Sequence, residues 1–368
     1  MTPVELSRTV LRAVRRAVDD GELSVVVPAR ASVTVPGPGG CGDYATNIAL
    51  QLARPAGQPP QRVAEVLRPY LLGAAGVGDV VVTGPGFLNI SLQAAQGSVA
   101  LVSEILRSRG QGQGRSGVGY RDGARYGFRY GYVDRPTGQV VQLHAPHEVR
   151  AVVVMDVVAR VLRSQGVLVR TSCVARPERE WTEVLGVEVD VYGTPEVPAP
   201  FEVNVRPVPA APVDPVALGR DAGRWALLHP AAHDRPRVTS EYLSQREGNP
   251  LFRVRYAHAR TRALGRNAAD LGFDAHPGVV QDVRALEIAL ADHPRVLAAT
   301  ATQHAPDRLA RHLLAVADAV TPLLPTVLPR GEEKPSAAHR ARLALAEAAG
   351  TVLAGGLSLL GIDAPDHL

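Results

Sequence analysis

From Pro215 onward the apolar residues recur at intervals of three and four, and this pattern constrains the chain more than any other feature in it. VALGRDAGRWALL (216–228) reads as a helix. A long helix follows from Pro250 behind an Asn249 cap, and further helical segments lie near 279–301, 306–320 and 337–354. No unit repeats at a fixed period of about 20 to 50 residues, so the expectation is an all-α bundle and not a solenoid.

The N-terminal part is mixed. Thr2, Pro3 and Glu5 have the order of a cap, a first-turn proline and a capping-box partner, and Leu6, Val10, Val14 and Val18 share one helix face over residues 2–19. LSVVV (23–27) and ASVTV (31–35) read as strands, and helices are expected over 45–53 and 61–72. A strand over 77–84 runs into the GPG turn before Phe87. The α+β domain closes near residue 108, and the Gly- and Arg-rich stretch 109–127 reads as a linker. A βαβ-like fragment follows, with a strand over 128–133, a helix over 147–166 and a strand over 167–174. Prolines between 194 and 215 then break up the strand-like VEVDVYG and FEVNVRPV.

With 368 residues, 46% of them hydrophobic, the chain can bury several cores. Cys41 and Cys173 are the only cysteines, too few for a disulfide framework or a cysteine zinc site. His144 and His147 lack a carboxylate or cysteine at ligand spacing, so no metal site is expected. No run of about 18 apolar residues and no basic-then-apolar leader is evident, which points to the cytoplasm and away from a membrane. Formal charge is only +4, with pI near 9.3, so the distribution of charge has to argue for a polyanionic partner.

On the helix from Asn249, Arg255, His258, Arg262 and Arg266 follow one another at spacings of 3 and 4. That stripe is either a set of guanidinium forks for phosphate oxygens or an ordinary solvated face. Tyr256 either stacks on an unpaired base or joins the core. YRDGARYGFRYGYVDR (120–135) interleaves arginine and tyrosine, as an RNA-stacking segment or an amphipathic strand would.

Several segments, in order, resemble arginyl-tRNA synthetases. GDYATNIALQLA (42–53) and GPGFLNISL (84–92) are similar to that family's N-terminal domain. PTG (136–138) with LHAPH (143–147) resembles its ATP-binding signature, and GRDAGRWALL (219–228) its connection to the anticodon domain. NPLFRVRYAHARTRAL (249–264) and HRARLALAEAAGTVLAGGLSLLGIDAP (339–365) resemble its helical DALR-type anticodon-binding domain. The resemblance implies a multidomain α+β protein. An N-terminal α+β domain (1–108) and the linker (109–127) would precede a reduced Rossmann-like α/β remnant (128–215) and an all-α anticodon-binding bundle (216–368). It implies tRNA as partner, an arginine tRNA first, with Asn47, Arg255, Tyr256, His258, Arg262, Arg266 and Leu368 as contacts. Leu368 stands where the family leads one to expect a terminal methionine. No DNA partner is expected.

The ATP signature departs from the family pattern. His144 and His147 keep the family spacing, but Pro146 replaces a glycine, removing a donor and adding a ring where backbone would approach the nucleotide. Glu148 and Val149 replace the small and basic residues that should follow. The lysine loop is absent, since the sole lysine, Lys334, lies inside the C-terminal domain. Only about 45 residues separate Val174 from the GRDAGR segment, too few to complete a nucleotide-binding sheet. The expectation is therefore a tRNA-binding protein without catalytic residues or cofactor. Two alternatives remain: a residual or repurposed arginine–tRNA ligase or aminoacyl-transfer enzyme that uses ATP or charged tRNA, or a scaffold for a full-length synthetase or a biosynthetic enzyme.

Overall fold

The structure, a computed structural model, describes residues 3–34, 36–37, 40–92, 94–109, 128–133, 135–193, 202–204 and 210–368. Most of the linker 109–127, of the arginine–tyrosine segment 120–135 and of the proline-rich stretches lies outside the described residues. The chain divides into two compact units, Met1–Ser103 and Glu104–Leu368.

In the first unit, α1 (Pro3–Asp19) buries Leu6, Val10, Ala13, Val14 and Ala17, the face that its 3.6-residue period marks out. α2 (Ile48–Ala56) and α3 (Pro60–Leu72) complete the helical layer, and Val63, Ala64, Leu67 and Leu71 of α3 join the same core. They cover an antiparallel sheet of β1 (Val33–Thr34), β2 (Tyr44–Thr46), β3 (Val77–Thr83) and β4 (Phe87–Leu92), in the order β1-β2-β4-β3. Two expectations fail. Residues 23–27 form no strand: the Leu23 N–H donates to the Ala17 carbonyl at 3.1 Å, closing the end of α1, while Val26 is 90% exposed. The helix expected from residue 45 begins at Ile48, because Tyr44–Thr46 pair with Leu88–Ile90 as β2. The sequence reading assigned no helix to α4 (Ala94–Arg107), which carries the chain across the division.

The second unit opens with a parallel sheet. β5 (Val140–Ala145) pairs with β6 (Leu168–Cys173), and α5 (Val149–Ser164) crosses between them. A one-turn helix α6 (Arg179–Glu183) leads towards β7 (Val191–Tyr192), which pairs with β6. β8 (Glu202–Asn204) pairs with β5, so the order is β7-β6-β5-β8. The first strand of this βαβ unit is thus 140–145 and not 128–133, where Phe128 forms only an isolated bridge to Arg109. Among the described residues, VEVDVYG and FEVNVRPV contribute these two short strands.

Five helices follow: α7 (Gly219–Leu228), α8 (Pro250–Asp270), α9 (Arg284–Gln303), α10 (Pro306–Val320) and α11 (Ala337–Leu360). The Asn249 side chain accepts from the Leu251 N–H at 3.0 Å, the cap expected from sequence. α11 runs beyond the expected 354. It contains an 18-residue window of mean hydropathy 1.7, apolar enough by composition to cross a bilayer, contrary to the reading that no such run exists. In this structure 89% of that window is buried inside the protein. A Cβ on Gly350 would stand 2.3 Å from Thr261 Oγ1 of α8, so the absence of a side chain is what lets these two helices approach.

Buried arginines bind the layers of this unit. Arg224 of α7, fully buried, donates to Asp156 of α5 at 2.5 Å, to the Leu185 carbonyl at 2.9 Å and to the Leu360 carbonyl at 2.7 Å. Arg150 of α5 donates to the carbonyls of Leu227, Ala231 and Asp234. Each guanidinium has several acceptors, as a charge removed from water requires. Burial alone would raise the Asp156 pKa, but the Arg224 and Arg160 guanidiniums hold it below its ordinary value.

Candidate functional site

The arginine stripe of α8 is where the sequence puts it, and the protein's own C-terminal tail lies along it. Arg262 Nε donates to Asp366 Oδ1 at 2.8 Å, and Arg266 Nη2 donates to the Asp366 carbonyl at 3.1 Å. That hydrogen bond from Arg262 holds the Asp366 carboxyl below its ordinary pKa. Arg255 pairs with Asp221 of α7 at 3.3 Å, and Arg253 pairs with Asp318 of α10. His258 departs from the expected exposed stripe. It is buried, with Nδ1 3.0 Å from the Pro365 carbonyl, so it anchors the tail and is not available as a surface contact. Tyr256 is 41% exposed and stacks on Phe252 at 5.5 Å between centroids.

The GRDAGR segment holds the same tail. Arg220 donates to the Gly361 carbonyl at 3.1 Å, and Asp221 Oδ1 accepts from the Asp363 N–H at 3.0 Å. Gly361 ends α11 at φ 70°, and a Cβ there would meet the Arg224 guanidinium at 2.4 Å. With the tail so placed, Leu368 reaches a cleft of about 100 Å³ lined also by Tyr242, Asn249, Leu251, Phe252 and Arg255. Burial raises the pKa of Asp221 at this junction, against the Asp363 N–H and Arg255, which favour its charged form.

At the carboxyl end of β5, the edge where ligands of open parallel sheets sit, the paired histidines are occupied. The Ser172 hydroxyl donates to the Leu143 carbonyl at 3.1 Å, so His144 Nδ1 donates to it in turn at 2.9 Å. His147 Nε2 donates to the Arg176 carbonyl at 2.9 Å, and its ring lies 4.9 Å from that of Trp181. Pro146 precedes a turn in which the Glu148 N–H donates to its carbonyl at 2.8 Å. Glu148 then caps α5. Its carboxylate accepts from the N–H groups of Arg150 at 3.0 Å and Ala151 at 2.8 Å, and from the Ala211 N–H at 3.3 Å. Two of the donors that this helix N-terminus would offer to an anion are thereby taken by the chain itself. Among the described residues no group of three His, Cys, Asp or Glu side chains could hold a metal ion.

In the first unit the GDYATN and GPGFLN motifs are largely built into the sheet. Tyr44, Thr46 and Asn89 are buried, and Asp43 Oδ2 accepts from the Leu92 N–H at 2.8 Å. Asn89 Nδ2 donates to Thr83 Oγ1 at 2.6 Å while its Oδ1 accepts from the Cys41 N–H at 3.3 Å. Asn47 is half-buried at the start of α2, accepting from Gln51 Nε2 at 2.9 Å.

Two family models match the chain: the arginyl tRNA synthetase N terminal domain over residues 5–92 and the DALR anticodon binding domain over 254–368. Between them they cover more than half of it. The chain belongs to the arginyl-tRNA synthetase family. A Frankia alni arginine–tRNA ligase is 31% identical over 254 residues, which are 68% of this chain and 42% of that one. One from Renibacterium salmoninarum is 41% identical over 183 residues, 46% of this chain and 30% of the other. The chain thus spans less than half the length of these curated relatives. Thermus thermophilus arginyl-tRNA synthetase superposes with TM-score 0.66 at 16% identity, covering 100% of both chains. The Plasmodium falciparum enzyme gives 0.65 at 8% identity, covering 100% of this chain and 99% of that one. The last two show a shared fold.

Within this arginyl-tRNA synthetase frame, the structure draws together Arg255 and Leu368 at one cleft and joins Arg262 and Arg266 through Asp366. Asn47 lies in the other unit. Sequence reasoning passed over three kinds of residue. Phe87 is 40% exposed, one step beyond the Thr46–Leu88 pair and so beside Asn47. Tyr242 and its neighbours wall the cleft at Leu368, and Arg237 and Arg246 line a second cleft next to it. The available signal was the grouping of Arg235, Arg237 and Arg246 with Thr239, Ser240, Tyr242 and Ser244 in a stretch without helical periodicity.

Proposed function

We propose that this chain binds tRNA, an arginine tRNA first, through its N-terminal and anticodon-binding domains in the cytosol, and does not activate arginine. The reading is carried by the contrast between two places in the second unit. At α8 a cleft with an aromatic wall and an apolar terminus, Leu368, is open to an unpaired base. At α5 the Glu148 carboxylate fills the N-terminus that would face a nucleotide phosphate, and it would repel one. Pro146 and the short β7 and β8 add to the misfit, so the residues present do not suit ATP. Class I activation needs cations and donors preorganised around a triphosphate. Here both histidines and the helix terminus serve the fold.

A second reading, a retained arginine–tRNA ligase activity, is favoured by the relatives, which are named as such enzymes. Filter binding of total tRNA at two salt concentrations, with sequencing of the retained species, tests the first half. Enrichment of arginine tRNAs with salt-sensitive affinity is expected. Arginine-dependent exchange of pyrophosphate into ATP tests the second half, and any turnover above background would establish the ligase reading. Co-purification with a full-length synthetase in the absence of tRNA binding would instead favour a scaffold.

A further inference from the structure

Beside the Leu368 cleft lies a second one of about 380 Å³, and the two share Tyr242, Ser244 and Asn249. Both linings mix polar and apolar groups, and what differs is the cations. The first sets Tyr242, Phe252 and Leu368 beside Arg255, which Asp221 already pairs, whereas the second is lined by Arg237, Arg246 and Thr239.

The state of the cations decides what this second cleft can do. On α8, Arg253, Arg255 and Arg262 are each paired with a carboxylate of the chain itself. Arg237 and Arg246 are exposed, and among the described residues neither has a carboxylate in ion-pair range. Glu241 lines the same cleft, leaving two guanidiniums against one carboxylate. A single-stranded nucleic acid alternates flat bases with anionic phosphodiesters one sugar apart, and an aromatic cleft adjoining a cationic one matches that alternation.

We propose that Arg237 and Arg246 hold the phosphodiester next to the base seated against Leu368, making the 237–249 segment a backbone-binding subsite of the RNA interface. The proposal rests on the tRNA reading above. Thr239 and Ser244 supply hydroxyl donors beside the guanidinium forks, and Glu241 opposes binding of the anion.

The test is a salt titration of tRNA binding by the full chain and by the double variant Arg237→Ala/Arg246→Ala, on whole tRNA and on an isolated anticodon stem–loop. Both side chains are exposed, so the thermal midpoint should not move. The variant should bind both RNAs about tenfold more weakly or worse, and the slope of log K against log salt should flatten by about 1, since the two guanidiniums together neutralise one phosphodiester. Glu241→Gln should tighten binding, and Leu368→Ala should weaken it with the slope unchanged. If the wild-type chain binds tRNA and the double variant matches it in affinity and slope, the subsite is wrong while the tRNA reading stands. A loss seen with whole tRNA but not with the stem–loop likewise overturns it, because the arginines would then touch another part of the RNA. A wild-type chain without salt-dependent tRNA binding overturns both.

Discussion

His258 shares a helical stripe with three arginines in the sequence, yet its ring is buried and its pKa is pushed down to about 4, chiefly by desolvation. His312 of α10 is likewise lowered to about 4 by burial, and His293 of α9, stacked 5.2 Å from it, is held well below its ordinary value. Each of these imidazoles is neutral in the folded chain and takes a proton near 6.5 once unfolded. The stability they allow is therefore complete above pH 6.5 and is lost as pH falls from 6.5 towards 4. Thermal unfolding followed by circular dichroism should show a midpoint that drops between pH 7 and pH 4.5, and His312→Phe should shallow the drop. A midpoint unmoved over this range would mean that the rings are open to solvent.

At the scale of elements, the interior of the second unit depends on cross-links whose partners are far apart in sequence. Asp156 and Arg224 lie on different helices, and Arg224 also ties α7 to the end of α11 at Leu360. Breaking such a buried pair leaves an unpaired charge away from water. Arg224→Met should cost about 3–5 kcal/mol in chemical denaturation, and the double change Arg224→Met/Asp156→Leu should recover much of that loss. If the single and double variants are equally destabilised, the carboxylate is not what makes Arg224 necessary. The strands at 23–27 and 128–133 failed as readings for a related reason. Alternating apolar residues describe a surface that suits a sheet, but a strand exists only where another strand supplies its hydrogen bonds.

For the whole molecule, the division after Ser103 makes a prediction of its own. The first unit has a core drawn wholly from its own residues, from Leu6 through Ile90. Residues 1–108 expressed alone should therefore give a mixed α/β circular dichroism spectrum and a single cooperative thermal transition. A non-cooperative melt would mean that this core needs the rest of the chain.

The sequence by itself determined most helices of both units, α4 and α6 excepted, the Asn249 cap, the glycine turn before Phe87 and the family resemblance, because periodicity, capping and turn chemistry are local. It also placed the α8 arginines on one stripe and flagged Pro146 and Glu148. What those residues do was decided by tertiary structure. Asp366 reaches Arg262 across 104 positions of chain, Asp221 reaches Arg255 from another helix, and Glu148 accepts from Ala211 as well as from its own helix. Whether a guanidinium is free for a phosphate depends on which carboxylate folds against it, and no spacing along a helix encodes that contact. Arg237 and Arg246 stand out only once Arg253, Arg255 and Arg262 are seen to be paired.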